Sequence, residues 1–175
     1  MANARGDEVG EILAAWQRER PDDDVSSIRV VTPIWRLAAA LERRRAEALA
    51  RFGLEHSGLD VLGTLRRSGP PYRLTAGELT RRCRVTPGAT SQRVQRLEQQ
   101  GLVSRVRDEH DRRTVYVTLT EGGSAKLDEV FAAVMAADEG VLAPLSGRDR
   151  STLARILGGW LTAAGLDEAT PAVEP

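Results

Sequence analysis

The chain has 175 residues and a mass of 19.1 kDa, which fits one domain with an added arm or tail. Its hydrophobic share of 41% can bury a core, but no run approaches the roughly 18 apolar residues of a membrane-spanning helix, which excludes a spanning protein. Residues 1–8 lack the apolar stretch of a signal peptide, and the single cysteine excludes a disulfide framework. We therefore expect a cytoplasmic protein.

The charge is balanced over the whole chain but unevenly distributed along it. Lys and Arg number 25, as do Asp and Glu. Residues 66–113 carry 12 basic and 5 acidic side chains, whereas residues 1–65 carry 9 and 11 and residues 114–175 carry 4 and 9. A basic middle between acidic ends indicates a local contact surface for a polyanion.

Two helices are predicted in the first 52 residues. The first has an apolar stripe formed by Val9, Ile12, Leu13 and Trp16. Arg20-Pro21 ends it before a solvated turn at residues 22–24, and a longer helix then extends to about Phe52. Because proline is awkward inside a helix, either Thr32-Pro33 starts the second helix or the helix kinks there.

A helix-turn-helix is predicted between residues 75 and 101. Thr75-Ala76-Gly77-Glu78 fits a capping box, in which the Thr hydroxyl accepts an early helical N–H and Glu78 reaches back to the cap. Arg84-Val85 breaks this short helix, and Thr86-Pro87 starts the next one as N-cap and first helical residue. Gly101 ends the second helix, so that the pair matches the helix-turn-helix motif.

The outer face of the second helix carries small and hydrogen-bonding groups of the kind that read base edges in a major groove. These candidates for DNA recognition are Thr86, Pro87, Gly88, Ser91, Gln92, Gln95 and Arg96. The alternative is an ordinary solvated helix face. Arg73 and Thr75, ahead of the first helix of the pair, are expected to contact the DNA backbone.

A β-hairpin is predicted directly after the helix-turn-helix, which is the arrangement of a wing. Residues 102–107 and 114–119 read as strands, and a charged turn lies between them. The turn contributes the candidate DNA-binding residues His110, Asp111, Arg112 and Arg113, since an arginine there can enter the minor groove. The alternative is a surface turn with a weak salt bridge to Asp111.

Two further helices are predicted at the C-terminus. Thr120 caps the first and Pro144 breaks it, whereas Ser146 caps the second and Gly165 ends it. The second has an apolar stripe of Leu153, Ile156, Leu157, Trp160 and Leu161. Apolar helices at both ends of a small winged domain favour a homodimer, which would place two reading helices roughly 34 Å apart on an inverted repeat. The alternative is a monomer whose stripes close one core.

The fold class that these elements predict is mainly α with a small β-wing. Residues 1–56 form N-terminal helices for dimerisation and ligand binding, and residues 57–120 form the winged helix-turn-helix domain. Residues 121–165 form C-terminal dimerisation helices, and residues 166–175 form a flexible tail.

Four ordered stretches resemble the MarR family of bacterial winged-helix regulators. They are Leu74-Thr75 with Glu78-Leu79; Thr86-Pro87-Gly88-Ala89; Arg96-Leu97-Glu98 with Gly101-Leu102-Val103 and Arg105; and Asp111-Arg112-Arg113 with Val117-Thr118-Leu119-Thr120 and Gly123. Arg93 departs from the pattern, because members usually carry an apolar residue there. The resemblance also implies a homodimer.

The N-terminal part resembles one branch of that family, the urate- and phenolic-acid-responsive regulators with an added N-terminal helix. This likeness is carried by Trp16, residues 19–22 and Asp24, together with residues 60–62 and 64–75. In that branch a Trp on the added helix and an Asp on the helix before the winged domain couple an anionic ligand to release of DNA. The resemblance thus implies a ligand site of Trp16 and Asp60, with Arg66 or Arg67 as the counter-charge.

Each of these residues also has a structural explanation. Trp16 completes an apolar stripe, and Ser57-Gly58-Leu59-Asp60 fits a capping box. Arg66 and Arg67 could contact only phosphates or water. If an anion does bind, it would repel Asp60 and shift its helix toward a spacing that does not fit DNA.

An enzyme is the rival class, but the sequence offers no catalytic residue, metal site or cofactor motif. His56 and His110 lack a His or Cys partner four residues away for zinc, and no glycine-rich phosphate loop is present. His56, Ser57 and Asp60 contain the letters of a catalytic triad, yet residues so close in sequence would not converge. Cys83 could sense oxidants, as in another branch of the family, but it lies on an apolar stripe where cysteines are usually inert.

We therefore expect a sequence-specific DNA-binding regulator, more specifically a repressor, because ligand-released occupancy of an operator is the simplest mechanism. Its partners are double-stranded DNA, a second copy of the chain and a small aromatic or anionic ligand, without a membrane. The alternative is a small-molecule-binding protein whose winged domain mediates protein contacts. Binding to an operator separates the two.

Overall fold

The computed structural model describes residues 8–166, and within that range it contains seven α-helices and one three-stranded antiparallel sheet. The predicted fold class, mainly α with a small β-wing, is confirmed. Contacts divide the chain into two compact units with the boundary between Arg44 and Arg45. Residues 1–7, where no signal peptide was expected, and residues 167–175 of the predicted tail lie outside the described residues.

The first unit contains α1 (Glu8–Glu19) and the start of α2 (Ile28–Ala50). In the intervening turn the carboxylate of Asp24 accepts the N–H of Ser26 at 2.9 Å. The guanidinium of Arg36 donates two hydrogen bonds of 2.8 Å to the carboxylate of Glu8. The predicted first helix and its solvated turn are thus confirmed.

Pro33 lies inside α2, so the alternative in which Thr32-Pro33 starts this helix is wrong. The helix begins one turn earlier, where the N–H of Val31 donates to the carbonyl of Ser27 at 2.9 Å. Pro33 leaves the carbonyl of Arg29 without its donor four residues on. Because Arg29 is exposed, water can reach that carbonyl, which is why the proline is tolerated near the helix start.

The second unit contains the C-terminal end of α2 and all later elements. In chain order these are α3 (His56–Arg67), β1 (Arg73–Thr75), α4 (Ala76–Cys83), α5 (Pro87–Gln99), β2 (Val103–Arg107), β3 (Val115–Leu119), α6 (Glu121–Leu142) and α7 (Gly147–Ala163). The helix-turn-helix is α4 and α5, and the hairpin of β2 and β3 follows it as predicted.

The sheet has the order β1-β3-β2, with Arg105 opposite Val117 in one ladder and Leu74 opposite Val117 in the other. Strand β1 was not predicted. It has three residues, of which only Leu74 is buried, and it exists because β3 offers it an edge. So short a strand shows no alternation that a sequence pattern could reveal.

Helix α3 starts earlier than the capping-box interpretation of Ser57 requires. Its N-cap is Glu55, which makes no side-chain cap bond, and its first residue is His56. Ser57 lies inside the first turn, and its hydroxyl donates to the carboxylate of Glu55 at 3.4 Å. The capping box of Ser57 and Asp60 is therefore wrong, which leaves Asp60 without a capping role.

The core of the second unit surrounds α3. Its fully buried members Val61, Leu62 and Leu65 occupy the inner face of that helix. Around them pack Leu49, Leu54, Leu74, Leu79, Val94, Leu97, Val103, Val117, Leu127 and Val130. The core therefore joins α3 to the helix-turn-helix, the sheet and α6.

The two C-terminal helices begin at the predicted caps. The hydroxyl of Thr120 accepts the N–H of Gly123 at 2.9 Å, and that of Ser146 accepts the N–H of Asp149 at 3.2 Å. No residue of α7 is buried, and its apolar stripe is open, with Ile156 51% and Trp160 49% exposed.

Within residues 8–166 no single helix is both long and apolar enough to cross a membrane. One pair, α6 with α7, meets the length and composition requirements only when taken together, across a bend of 102°.

Gly123 makes the tightest approach between α6 and the sheet. A β-carbon at Gly123 would overlap the carbonyl oxygen of Leu102, whereas the nearest atoms to one at Gly122 are 3.8 Å away. Gly123→Ala should lower the free energy of unfolding by about 1–3 kcal/mol, because the backbone carbonyl of Leu102 cannot move aside as a flexible side chain could. Urea unfolding followed by circular dichroism measures this. Gly122→Ala is the matched control, and an equal loss in both variants would contradict the close approach.

Candidate nucleic-acid interface and ligand cleft

Helix α5 presents its predicted reading face to solvent. All seven candidates are exposed, namely Thr86, Pro87, Gly88, Ser91, Gln92, Gln95 and Arg96. The hydroxyl of Thr86 caps the helix by accepting the N–H of Ala89 at 3.2 Å. Arg96 lies 3.3 Å from the carboxylate of Glu55, but both side chains are more than half exposed, so this ion pair is weak and Arg96 can exchange it for another partner.

Helices α4 and α5 are held at a fixed crossing by polar as well as apolar contacts. The hydroxyls of Thr80 and Thr90 lie 2.9 Å apart, and Thr90 is buried. On the opposite side of α5 from its reading face, Val94 and Leu97 are each 2% exposed. The rotational setting of α5 is therefore determined by its packing.

Two candidate backbone contacts flank the start of α4. The guanidinium of Arg73 stacks on the ring of Tyr116, 3.6 Å from its centroid, and remains exposed. Thr75 forms the predicted capping box: its hydroxyl accepts the N–H of Glu78 at 3.2 Å, and its own N–H donates to the Glu78 carboxylate at 2.9 Å. The hydroxyl also donates to that carboxylate, and these bonds lower the pKa of Glu78. Arg73 is thus held by an aromatic face, whereas the donors of Thr75 point at Glu78.

A salt bridge joins the end of α5 to the start of the hairpin. The guanidinium of Arg105 donates to the carboxylate of Glu98, with the Nε bond at 2.8 Å, and the backbone N–H of Arg105 donates to the same side chain at 3.2 Å. The guanidinium lowers the pKa of the Glu98 carboxyl. The hairpin is therefore tied to the helix that precedes it.

The turn between β2 and β3, residues 108–114, is the wing tip, and its own carboxylates shape it. Asp108 accepts the N–H groups of His110 and Asp111 at 2.9 and 2.8 Å, which lower its pKa. Asp111 accepts the N–H of Arg113 at 3.0 Å and the hydroxyl of Thr114 at 2.8 Å. Asp111 thus serves the turn itself.

The wing tip leaves its arginines available. Arg112 and Arg113 are exposed, as is His110, and within residues 8–166 neither arginine forms an ion pair with a carboxylate. The predicted alternative, a salt bridge to Asp111, is not formed. Two guanidinium groups therefore extend from the wing tip without an internal anion.

A solvent-open cleft with an empty volume of about 1120 Å³ lies between α3 and α6. Its apolar wall consists of Leu59, Leu127, Phe131, Val134 and Met135. Its polar residues are Arg45, His56, Asp60, Arg66, Arg67 and Asp128. Arg45 donates to Asp138 of α6 at 2.7 Å, which braces one end of the cleft. An apolar wall facing charged groups suits a small aromatic anion.

Asp60 connects this cleft to the reading helix. Its carboxylate lies 3.9 Å from Nη1 of Arg93 on α5, whose side chain is only 13% exposed. Arg93 is the residue that departs from the family pattern, and the carboxylate explains how a guanidinium is accommodated at an inward position. Sequence reasoning missed this pair because the two residues are 33 positions apart.

The other predicted ligand residues are placed differently. Arg66 contacts Ser124, donates to Asp128 at 3.3 Å and stacks on Tyr72, so its charge is already engaged. Arg67 donates only to the Thr64 hydroxyl, at 3.1 Å, and is exposed. Trp16 belongs to the first unit, and its side chain is 50% exposed although it lies on the apolar stripe of α1.

Cys83 is buried and its thiol is weakly acidic. Burial raises the pKa of the thiol to about 11, against a slight opposing effect of its hydrogen bond to Thr64. The thiolate is the reactive form, so this environment disfavours redox sensing. Within residues 8–166 no group of three His, Cys, Asp or Glu residues could hold a metal ion.

Comparison with known proteins places these features in context. The sequence profile of the MarR family matches residues 52–114. The chain is 31% identical over 155 residues to the HTH-type transcriptional regulator PecS of Dickeya dadantii, covering 89% of this chain and 93% of that protein. It is also 31% identical to the HTH-type transcriptional repressor MdtR of Bacillus subtilis, over 70% of this chain and 77% of that repressor.

A solved structure with the same arrangement is that of Sco3205, a MarR family transcriptional regulator from Streptomyces coelicolor, in complex with DNA. The TM-score is 0.70 at 25% identity, and the match covers 87% of this chain and 99% of that one. The likeness therefore extends well beyond the residues that the family profile matches.

Asp108→Ala should loosen the wing tip without unfolding the protein. The N–H groups of His110 and Asp111 would lose their acceptor, so amide exchange at these two residues should accelerate by about tenfold. Asp108→Asn keeps an acceptor oxygen and is the control. The N–H groups of Asp111 and His110 lower the pKa of Asp108, so the native protein should keep this protection until the pH falls below the ordinary titration range of an aspartate. Unchanged exchange in Asp108→Ala would contradict this role.

Proposed function

Because the chain belongs to the MarR family, we propose that it is a cytoplasmic transcriptional repressor that binds an inverted-repeat operator as a homodimer. A small aromatic or anionic ligand then releases it. Relatives named as transcriptional regulators and repressors support this function over an enzymatic one.

The observation that carries the proposal is the joined surface of α5 and the wing tip. The exposed face of α5 supplies Ser91, Gln92, Gln95 and Arg96 for base edges. The Glu98–Arg105 salt bridge holds the hairpin against that helix, so Arg112 and Arg113 extend to the same duplex. Arg73, stacked on the ring of Tyr116, contacts the DNA backbone. Thr75 holds α4 in position, and Asp111 holds the wing tip.

Dimer formation accounts for the open apolar stripe of α7. Leu153, Ile156, Leu157, Trp160 and Leu161 lie 37–51% exposed on one chain, which is unusual for so many large apolar side chains. In the first unit, α2 likewise exposes Val31 and Trp35. We assign residues 1–56 and 121–165 to dimerisation, residues 1–56 also to ligand response, and residues 57–120 to DNA binding.

The ligand acts through the charge of Asp60. An aromatic acid in the α3–α6 cleft would place its ring on the apolar wall and its carboxylate near Arg67. The added negative charge repels Asp60, which weakens its attraction to Arg93 and shifts α5 from the setting that fits DNA. The part assigned to Trp16 rests on the family resemblance.

Substitutions on the two DNA-contacting elements should differ in their effects. Gln92→Ala or Arg96→Ala should weaken binding to the cognate duplex by about 1–3 kcal/mol, because base contacts are lost. Binding to a random duplex should weaken far less. Arg112→Ala or Arg113→Ala should weaken binding to cognate and to random DNA alike. Either change should also reduce the slope of log binding constant against log salt concentration by about one unit per lost phosphate contact. Fluorescence anisotropy with labelled duplexes at several salt concentrations measures both. If Arg96→Ala affects cognate and random DNA alike, its base-reading role is wrong.

Urate or a small aromatic acid such as salicylate should lower operator affinity about 5–150-fold and quench tryptophan fluorescence. In Asp60→Asn the ratio of affinities without and with ligand should fall toward one, because the repelled charge is gone. Trp16→Phe identifies which of the three tryptophans reports binding. Absence of both changes at millimolar ligand would reject this release mechanism.

A further inference from the structure

A second cleft of the second unit is lined almost entirely by arginines. It has an empty volume of about 720 Å³, is open to solvent and is formed by Thr64, Arg67, Arg81, Arg82 and Arg84. We call it the arginine cleft. Within residues 8–166 no carboxylate lines it, whereas the α3–α6 cleft contains Asp60 and Asp128.

The arginines converge because two helices end side by side. Arg67 is the last residue of α3, and Arg81 and Arg82 lie in the last turn of α4. Arg84 is the C-cap of α4, where a φ of 58° directs the chain toward α5. Cations are favoured at helix C-termini, but two such ends supply only about one unit of negative charge. Four guanidinium groups exceed that several-fold.

Internal partners do not neutralise this excess. Within the described part of the chain none of the four arginines forms an ion pair, and all four are exposed. Arg67 donates a hydrogen bond of 3.1 Å to the Thr64 hydroxyl, and this hydroxyl is neutral. The carboxylate of Glu78 accepts a hydrogen bond from Thr75. Arg81 and Arg82 make only minor contributions to the lowering of the Glu78 pKa.

We propose that the arginine cleft binds a compact, multiply phosphorylated anion, such as the triphosphate group of a nucleotide. The planar guanidinium fork matches the paired oxygens of phosphate, and several forks around one recess suit an anion with several phosphates. The recess is concave, and none of the residues assigned to the reading face or the wing tip lines it. The arginine cleft shares only Arg67 with the α3–α6 cleft.

Titration of the full-length protein with inorganic triphosphate, without DNA and in roughly 0.15 M salt, tests the proposal by calorimetry. We expect saturable binding at one site per chain, with orthophosphate much weaker. Arg81→Gln combined with Arg82→Gln should raise the Kd for triphosphate by about tenfold or more, because two charge-assisted contacts are lost. Both side chains are exposed, so the unfolding midpoint without triphosphate should stay unchanged.

The matched control combines Arg18→Gln with Arg29→Gln, which removes the same charge from exposed positions of the first unit and should leave the Kd for triphosphate unchanged. Failure of the native protein to bind triphosphate saturably, or an equal loss in the control, would overturn the proposal. A third measurement compares operator duplexes with short and long flanks. If the Arg81 and Arg82 variant loses affinity only for long flanks and keeps its triphosphate affinity, the cleft serves duplex phosphates and the proposal is wrong.

Discussion

The buried inner face of α3 is the constraint on which the second unit depends. Val61, Leu62 and Leu65 are fully inaccessible to solvent and pack where the helix-turn-helix, the sheet and α6 meet. Because interiors are close-packed, a displacement of α3 must be transmitted to the elements around it. The same helix exposes Asp60 to one cleft and ends in Arg67 at another. Helix α3 thus connects α5 to both candidate anion sites.

Polar contacts add direction to this packing. The Glu98–Arg105 salt bridge and the hydroxyl contact of Thr80 with Thr90 hold the hairpin and α4 against α5. The carboxylate of Asp60 on α3 lies 3.9 Å from the guanidinium of Arg93 on α5, whose side chain is 13% exposed. We propose that a charge introduced into the α3–α6 cleft changes the setting of α5 without contacting DNA. This separation is what a regulator needs, since ligand and operator must act through the protein rather than compete directly.

Positive charge is also divided according to its partners. Arg45, Arg66, Arg93 and Arg105 form ion pairs with carboxylates of the second unit. Arg112 and Arg113 project from the wing tip, and the arginine cleft gathers four more. The basic middle segment is therefore not one surface. Its charge serves internal contacts and, as we propose, a DNA duplex and a phosphorylated anion.

Local signals in the sequence determined the helix-turn-helix, the hairpin and the caps at Thr75, Thr86, Thr120 and Ser146, because caps and turns depend on residues a few positions apart. Only the tertiary structure decided three other features. Strand β1 exists because β3 offers an edge, α2 extends past Pro33 because water can reach the freed carbonyl, and Asp60 meets Arg93 because α3 packs on α5. The contacts of β1 with β3 and of Asp60 with Arg93 join distant residues, and neither periodicity nor composition records which side chains will meet when the core closes.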